Sequence, residues 1–442
     1  MTGGELRRAP GRAAGRAAGR VTGRAERQAA RRSVARTLAA PAAGVVAMTV
    51  GHFLVDFYGS FPAALLPFVS ERLGLPMTLC GLAIAITSVA ANVSQPLLGY
   101  LVDRWLLAWI LVPCVAVAAV LSAPLAWLGS YGWFVALAAV AGLAVAMYHP
   151  LGSVAATAFA HGRRGLALSV YTAGGSLGYA LAPLLLVPVA LAFSPAAGMA
   201  LLVLPGTAGA ALMLLAGLAR RVREVMRGGA GARAEGGAGS PADAAASDAA
   251  GAAQGSSVRP LLALNVVAAL RAWAHYGLVV FIPLYLVKQG WTAVAADQVM
   301  AAFLLASTAG GVAGGALADR WGMRAMVAAS TLLGGFVCGA AVLQHDLTTM
   351  VAVVVAGGFL FQAGLAPTVV IAQEAAPRRA AMASGMMMGL SWGLGGIGSI
   401  LTGAWADAWG VPTALLLTLA PLPLAAALCA FVPGRRMARR RA

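Results

Sequence analysis

The segment Gly99-Tyr100-Leu101-Val102-Asp103-Arg104-Trp105 returns 216 residues later as Gly315-Ala316-Leu317-Ala318-Asp319-Arg320-Trp321, each copy set between long apolar runs. Other anchors keep the same offset: Pro67 with Pro283, Gly74 with Gly290, and the basic residues Arg72 with Lys288. A chain that repeats a charged loop at half its length points to a duplicated bundle of membrane helices. Internal repeats of this kind mark secondary transporters, whose binding site lies where the repeats meet.

Composition supports the reading. Of 442 residues, 60% are hydrophobic and 10% charged, with a mean hydropathy of +0.84, whereas soluble domains carry about 25% charged residues. Apolar stretches of the length that spans a bilayer predict an all-α membrane protein of twelve transmembrane helices, in two pseudosymmetric six-helix bundles. The helices are expected near 42–69, 77–101, 107–128, 131–158, 165–192, 196–218, 260–287, 295–317, 324–343, 347–373, 380–404 and 411–432. Cys80, Cys114, Cys338 and Cys429 fall within these stretches without metal-ligand spacing and read as packing residues.

The net charge of +17 invites a nucleic-acid partner, but its distribution argues against one. In the twelve-helix reading, 28 of the 31 Lys and Arg lie in the tails and loops of one side; Arg72 and Lys288 lie on the other, and Arg271 lies within a helix. Cationic loops stay cytoplasmic, so both termini are expected inside a bacterial inner membrane. The domain reading follows: an Arg-rich tail over 1–41, a six-helix bundle over 42–219, a cytoplasmic linker over 220–259, a second bundle over 260–433 and a basic tail over 434–442. The first tail has no apolar core with a cleavage site and so does not read as a secretory signal. It is taken as a topology-setting segment, with an amphipathic contact to anionic lipid as the alternative. The linker is rich in Gly, Ala and Ser, too polar to bury a core.

Charges inside helices are costly in hydrocarbon, so a transporter keeps them mainly where they face a cavity or a partner. Helix 1 carries His52 and Asp56, four residues apart and on one face; helix 7 carries Arg271 and His275, again four apart. Shifting Asp56 by the repeat offset gives position 272, so Asp56 and Arg271 are expected at matching depths, able to sense one another directly or through substrate. Asp56, read as the most deeply placed acid, is the leading protonation site; a purely structural ion pair with Arg271 is the competing reading. In helix 4, Met147-Tyr148-His149-Pro150 places His149 beside a break in backbone hydrogen bonding, where it either contacts substrate or packs. The repeated loops supply a candidate gate of Gly99, Asp103 and Arg104 with Gly315, Asp319 and Arg320, joined by Arg324. Glu374 precedes Pro377-Arg378-Arg379 and reads as a gating partner. Glycine runs at Gly174, Gly175 and Gly178 and at Gly393, Gly395, Gly396 and Gly398 read as close helix contacts. No catalytic triad, zinc motif or phosphate loop is present, so neither enzyme activity nor a cofactor or metal is expected.

The paired Gly-x-x-x-Asp-Arg loops resemble those of the major facilitator superfamily. More narrowly, His52-x-x-x-Asp56 with Pro67, Tyr148-His149-Pro150, Gly162-Arg163-Arg164-Gly165-Leu166-Ala167, Ala372-Gln373-Glu374-x-x-Pro377, Ser384-Gly385 and Gly395-Gly396-x-Gly398 are similar to the fosmidomycin resistance protein group. The resemblance covers about residues 48 to 432. It implies a twelve-helix inner-membrane exporter of toxic small molecules driven by exchange for protons. The chain departs from the pattern where Leu151 replaces an acid after the His-Pro pair and where Leu168, Thr172 and Ser176 stand at expected polar positions. The expectation is therefore a proton-coupled efflux transporter with a small-molecule substrate, protons and membrane lipid as partners, acting as a monomer. An importer of a small metabolite or organic anion is the nearest alternative. A membrane-anchored sensor using the basic arm is a third.

Overall fold

The computed structural model describes residues 42–95, 97, 98, 101, 108–160, 164–225, 258–344, 346–375, 383 and 385–432. Among them the helical segments follow in chain order with no strand, and twelve of them correspond to the expected helices. The first six are α1 (Ala42–Leu73), α2 (Met77–Val93), α3 (Ala108–Trp127), α4 (Tyr131–Phe159), α5 (Arg164–Ala192) and α6 (Pro195–Leu215). The second six are α7 (Val258–Lys288), α8 (Ala293–Trp321), α9 (Met323–Val342), α10 (Thr348–Ala375), α11 (Ser391–Trp409) and α12 (Val411–Phe431). Ten of the described helices are long and apolar enough to cross a membrane, all but α2 and α11. Large side chains such as Leu215, Phe431 and Val312 lie exposed. Apolar surface that would drive aggregation in water is the natural face toward lipid.

The sequence repeat has a structural counterpart at the helix ends. Gly74 (φ 62) closes α1 and Gly290 (φ 88) closes α7, each in the left-handed region that only glycine enters freely. Leu75 N–H reaches back to the Ser70 carbonyl at 2.9 Å, and Trp291 N–H to that of Leu286 at 3.1 Å, the same closure twice. Arg72 then ties α1 to the end of α3 by donating to the carbonyls of Ala126 and Leu128.

Several helices are broken in ways that apolar periodicity does not reveal. The last five residues of α2, Val89–Val93, form a π turn, and a second π turn, Met386–Leu390, leads into α11. Helix α10 is interrupted at Ala363 and Gly364, and α12 at Ala420 and Pro421. Residues 220–225, placed at the start of the linker by the sequence, are helical, in a segment that begins at residue 218. The two sets of six meet along two seams, α2 against α11 and α5 against α8, with α1 and α7 also in contact. Under exchange of the halves α2 corresponds to α8 and α11 to α5, so the seams are copies of one another.

Candidate functional site

Helix α1 presents His52 and Asp56 on one face, and α4 brings His149 to meet them. His52 Nε2 lies 3.3 Å from Asp56 Oδ2, His149 Nε2 lies 3.3 Å from Asp56 Oδ1, and His52 Nε2 lies 3.0 Å from His149 Nδ1. On its far side His52 Nδ1 sits 2.7 Å from the Tyr171 carbonyl. A carbonyl only accepts, so this nitrogen carries a proton, and in a neutral ring Nε2 would turn a lone pair toward the cluster.

The arrangement is enforced from all sides. The Tyr171 ring stacks on His52 with centroids 4.0 Å apart, and its hydroxyl donates to the His149 carbonyl at 3.3 Å. Tyr148 docks α4 on α1 by donating to the Met48 carbonyl at 3.1 Å. Helix α5 passes so close that a Cβ on Gly175 would lie 2.4 Å from Asp56 Oδ2, so a larger residue would have to displace the carboxylate. Yet the cluster is not sealed: the Asp56 side chain is 17% exposed and that of His149 27%.

Proton counting shows what this geometry can do. With both imidazoles neutral and Asp56 ionised, His149 has one N–H. Donated to His52, it leaves the His149 Nε2 lone pair against a carboxylate oxygen. Donated to Asp56, it leaves two ring lone pairs facing each other. A further proton on His149 would satisfy both of its contacts, while His52 Nε2 would still face Asp56 Oδ2 at 3.3 Å. Two imidazoles and a carboxylate within 4.8 Å also make a donor set for a divalent metal. Here, though, the groups contact one another at about hydrogen-bond length.

The matching position in the second half is built differently. Arg271 is buried, and its guanidinium donates to Thr331 Oγ1 at 2.6 Å, to Ser330 Oγ at 3.3 Å and to the Phe361 carbonyl, while lying 4.6 Å from the centroid of the Phe361 ring. Among the described residues no ion pair joins it to Asp56, whose ionic contacts are the two histidines. The structural Asp56–Arg271 ion pair, the competing reading, is therefore not formed in this conformation: neutral acceptors on α9 and near the break in α10 already hold the cation. His275 packs among Tyr276, Phe303 and Trp392, its Nδ1 without a hydrogen-bond partner. Arg271 and His275 line a cavity with Gln362, Thr368 and Trp392.

The gate residues are met only in part. Gly99, Asp103 and Arg104 lie outside the described residues, as do Arg378 and Arg379. Gly315 faces α10, where a Cβ would sit 3.8 Å from that of Ala366. Asp319 belongs to the last turns of α8, its side chain outside the described set. Arg320 and Arg324 are exposed, and Arg324 donates to the Val432 carbonyl at 3.5 Å. Glu374 lies at the exposed end of α10. Two acids stand out that the sequence reading passes over. Asp297, near the start of α8, is 1% exposed, with neither carboxylate oxygen hydrogen-bonded among the described residues, so Asp56 is not the most deeply buried acid. Asp407, near the end of α11, binds α2. A lone acid in an apolar run was the available signal for each.

The Major Facilitator Superfamily sequence model matches residues 48–297 and 264–442. The chain belongs to this superfamily. The fosmidomycin resistance protein of Escherichia coli (strain K12) is 27% identical over 403 residues, covering 88% of this chain and 92% of its own. Two solved structures of similar fold are a bacterial homolog of the human lysosomal transporter Spinster, inward-facing and unoccupied, and a D-xylose-proton symporter. The first has a TM-score of 0.69 at 16% identity, covering 89% of this chain and 96% of its own. The second has a TM-score of 0.64 at 16% identity, covering 88% and 97%. The chain is thus a multi-pass membrane transporter of the superfamily and not an enzyme.

Proposed function

We propose that the chain exports a toxic small molecule in exchange for protons, by alternating access, with the His52–Asp56–His149 cluster carrying the proton. The observation behind this reading is the position of His149: a neutral ring has one N–H for two acceptors, His52 Nε2 at 3.0 Å and Asp56 Oδ1 at 3.3 Å. A cavity that exposes the cluster first to one side and then to the other can load that proton and release it. Arg271, bound to α9 and α10, positions α7 and with His275 shapes the second half of the cavity. The similarity to a fosmidomycin resistance protein favours efflux, and the skew of Lys and Arg favours a bacterial inner membrane with both termini and the 220–259 linker cytoplasmic. One polypeptide supplies both halves, so a monomer suffices.

Import is the second reading, favoured by the fold shared with a D-xylose-proton symporter. Proteoliposomes with an imposed pH gradient, screened with phosphonates, lipophilic drugs and organic anions, decide between them. Substrate movement against its gradient and opposite to protons is expected. Movement in the same direction as protons supports import, and flux indifferent to the pH gradient overturns proton coupling.

A further inference from the structure

Helix α2 begins without a cap of its own. Its N-cap position is Pro76, which has no side-chain acceptor, so the first amide N–H groups of the helix need a partner from elsewhere. That partner crosses the seam between the halves. The Asp407 carboxylate of α11 accepts from Met77 N–H at 2.7 Å through Oδ1, and from Thr78 N–H at 2.8 Å and the Thr78 hydroxyl at 2.6 Å through Oδ2. A carboxylate at a helix N-terminus also meets the positive end of the helix dipole. Both acid oxygens are thus engaged with residues 330 and 329 positions away in the chain.

The seam beyond the cap is drawn tight by small residues. A Cβ on Gly403 would fall 2.3 Å from the Met77 carbonyl oxygen, one on Gly81 2.1 Å from that of Ser399, and one on Gly396 2.2 Å from the Ser88 side chain. The backbones of α2 and α11 touch, as in close-packed membrane helices. Further along, Ser88 Oγ contacts the Trp392 carbonyl at 3.1 Å and the Tyr276 hydroxyl at 3.2 Å. Then the geometry changes: Val89–Val93 and Met386–Leu390 are π turns packed against each other. π turns recur at functional deformations of helices. The seam therefore runs from a charged cap at one end to two deformable turns at the other.

We propose that Asp407 is the latch that holds the α1–α2 end of the transporter shut, by capping α2 across the two halves. Separation of α2 from α11 about the π turns breaks the cap first, because it lies farthest from them, and hands three donors to water. Closure restores them. The inference rests on the alternating-access reading. It does not depend on which ion or substrate is carried, nor on the direction of transport.

Cys80 provides a native reporter. It lies on α2 one turn past Met77 and is 0% exposed. With Cys114, Cys338 and Cys429 replaced by Ala, a membrane-impermeant maleimide should label Cys80 on the order of tenfold faster in Asp407→Ala than in the Asp407 parent, with a smaller rise in Thr78→Val. Tenfold corresponds to about 1.4 kcal/mol in the open–closed equilibrium. An unchanged labelling rate in correctly inserted Asp407→Ala overturns the latch. Should that variant fail to fold, Thr78→Cys combined with Asp407→Cys in a chain lacking the native cysteines decides. A disulfide at these positions should stop flux and its reduction restore it, whereas full flux with the bridge closed overturns the proposal. Labelling needs no substrate, so failure of the proton-exchange reading and failure of the latch are separately visible.

Discussion

Helices α1 and α7 occupy matching places in the two halves, and each carries two ionisable side chains one turn apart, yet their chemistry has diverged. On α1 the partners of Asp56 are two imidazoles, groups that can themselves gain or lose a proton. On α7 the partners of Arg271 are two hydroxyls and a carbonyl, and none of them titrates near neutral pH. A titratable group surrounded by titratable groups can pass charge on. A permanent cation surrounded by fixed acceptors holds helices in place. Duplication supplied the same positions twice, and the neighbours differ: titratable rings around one copy, fixed acceptors around the other.

The comparison breaks most visibly at Asp56. An Asn there preserves shape but cannot titrate, so Asp56→Asn should reduce uphill, proton-driven flux on the order of 100-fold, equivalent to about 2.7 kcal/mol, while substrate binding persists. Flux and luminal pH recorded together in proteoliposomes check this. Continued proton movement in step with substrate would move the coupling proton to another group, with His149 and Glu374 next to be tested.

Gly175 tests whether the cluster needs its close wall. A methyl group at that position would lie 2.4 Å from Asp56 Oδ2 and 2.5 Å from His52 Cε1, forcing the three groups apart. Gly175→Ala should therefore lower proton-driven flux about tenfold, or about 1.4 kcal/mol, and shift its pH profile. An equal loss at every pH would mean that the substitution disturbs packing alone.

For Arg271 the comparison reverses the sign of what is measured. Lys cannot reproduce the forked contacts to Thr331, Ser330 and Phe361, so Arg271→Lys leaves buried acceptors short and should cost about 1–3 kcal/mol of stability. Thermal unfolding in detergent should drop by several degrees, while the ratio of protons to substrate stays unchanged in the protein that remains folded. A changed ratio with unaltered stability would place Arg271 in the coupling chemistry after all.

What the chain announces in advance follows the same division. The apolar runs were legible because membrane helices must satisfy their backbones locally, which writes length into the sequence, and Gly74 and Gly290 were legible as a matched pair, though not as the helix closures they form. His52 and Asp56 were legible as neighbours because four residues make one turn. His149 was legible as a polar residue beside Pro150, but its place against Asp56 depends on how α4 packs on α1. Gly175 was legible as part of a glycine run that packs closely, but not which groups it packs against, and Tyr171, which sets the ring orientation, lies on α5 among apolar and small residues with nothing local to distinguish it. The partners of Arg271 were hidden for the same reason: Ser330, Thr331 and the break at Ala363 and Gly364 acquire meaning only once α9 and α10 are packed. Asp407 was overlooked because its partner is an uncapped helix start 330 residues earlier in the chain.

Asp346 gives the smallest effect and serves as a control for Asp56. It lies outside the membrane spans and caps α10, accepting from Thr349 N–H at 2.8 Å and from the Thr349 hydroxyl at 2.7 Å. These donors to its charged form hold its carboxyl below the ordinary value of 3.8. Because the folded value is the lower one, the cap contributes stability above pH 3.8, and that contribution is lost as pH falls through the folded value. Asp346→Ala should therefore lower the melting temperature slightly at pH 7, with the difference from the parent vanishing under strongly acid conditions. Since its partners are fixed donors and not titratable rings, the variant should leave the pH profile of transport between pH 5 and 8 unchanged. A shifted profile would show that an acid needs no imidazole neighbours to influence coupling, and the contrast between α1 and α7 would lose its physical basis.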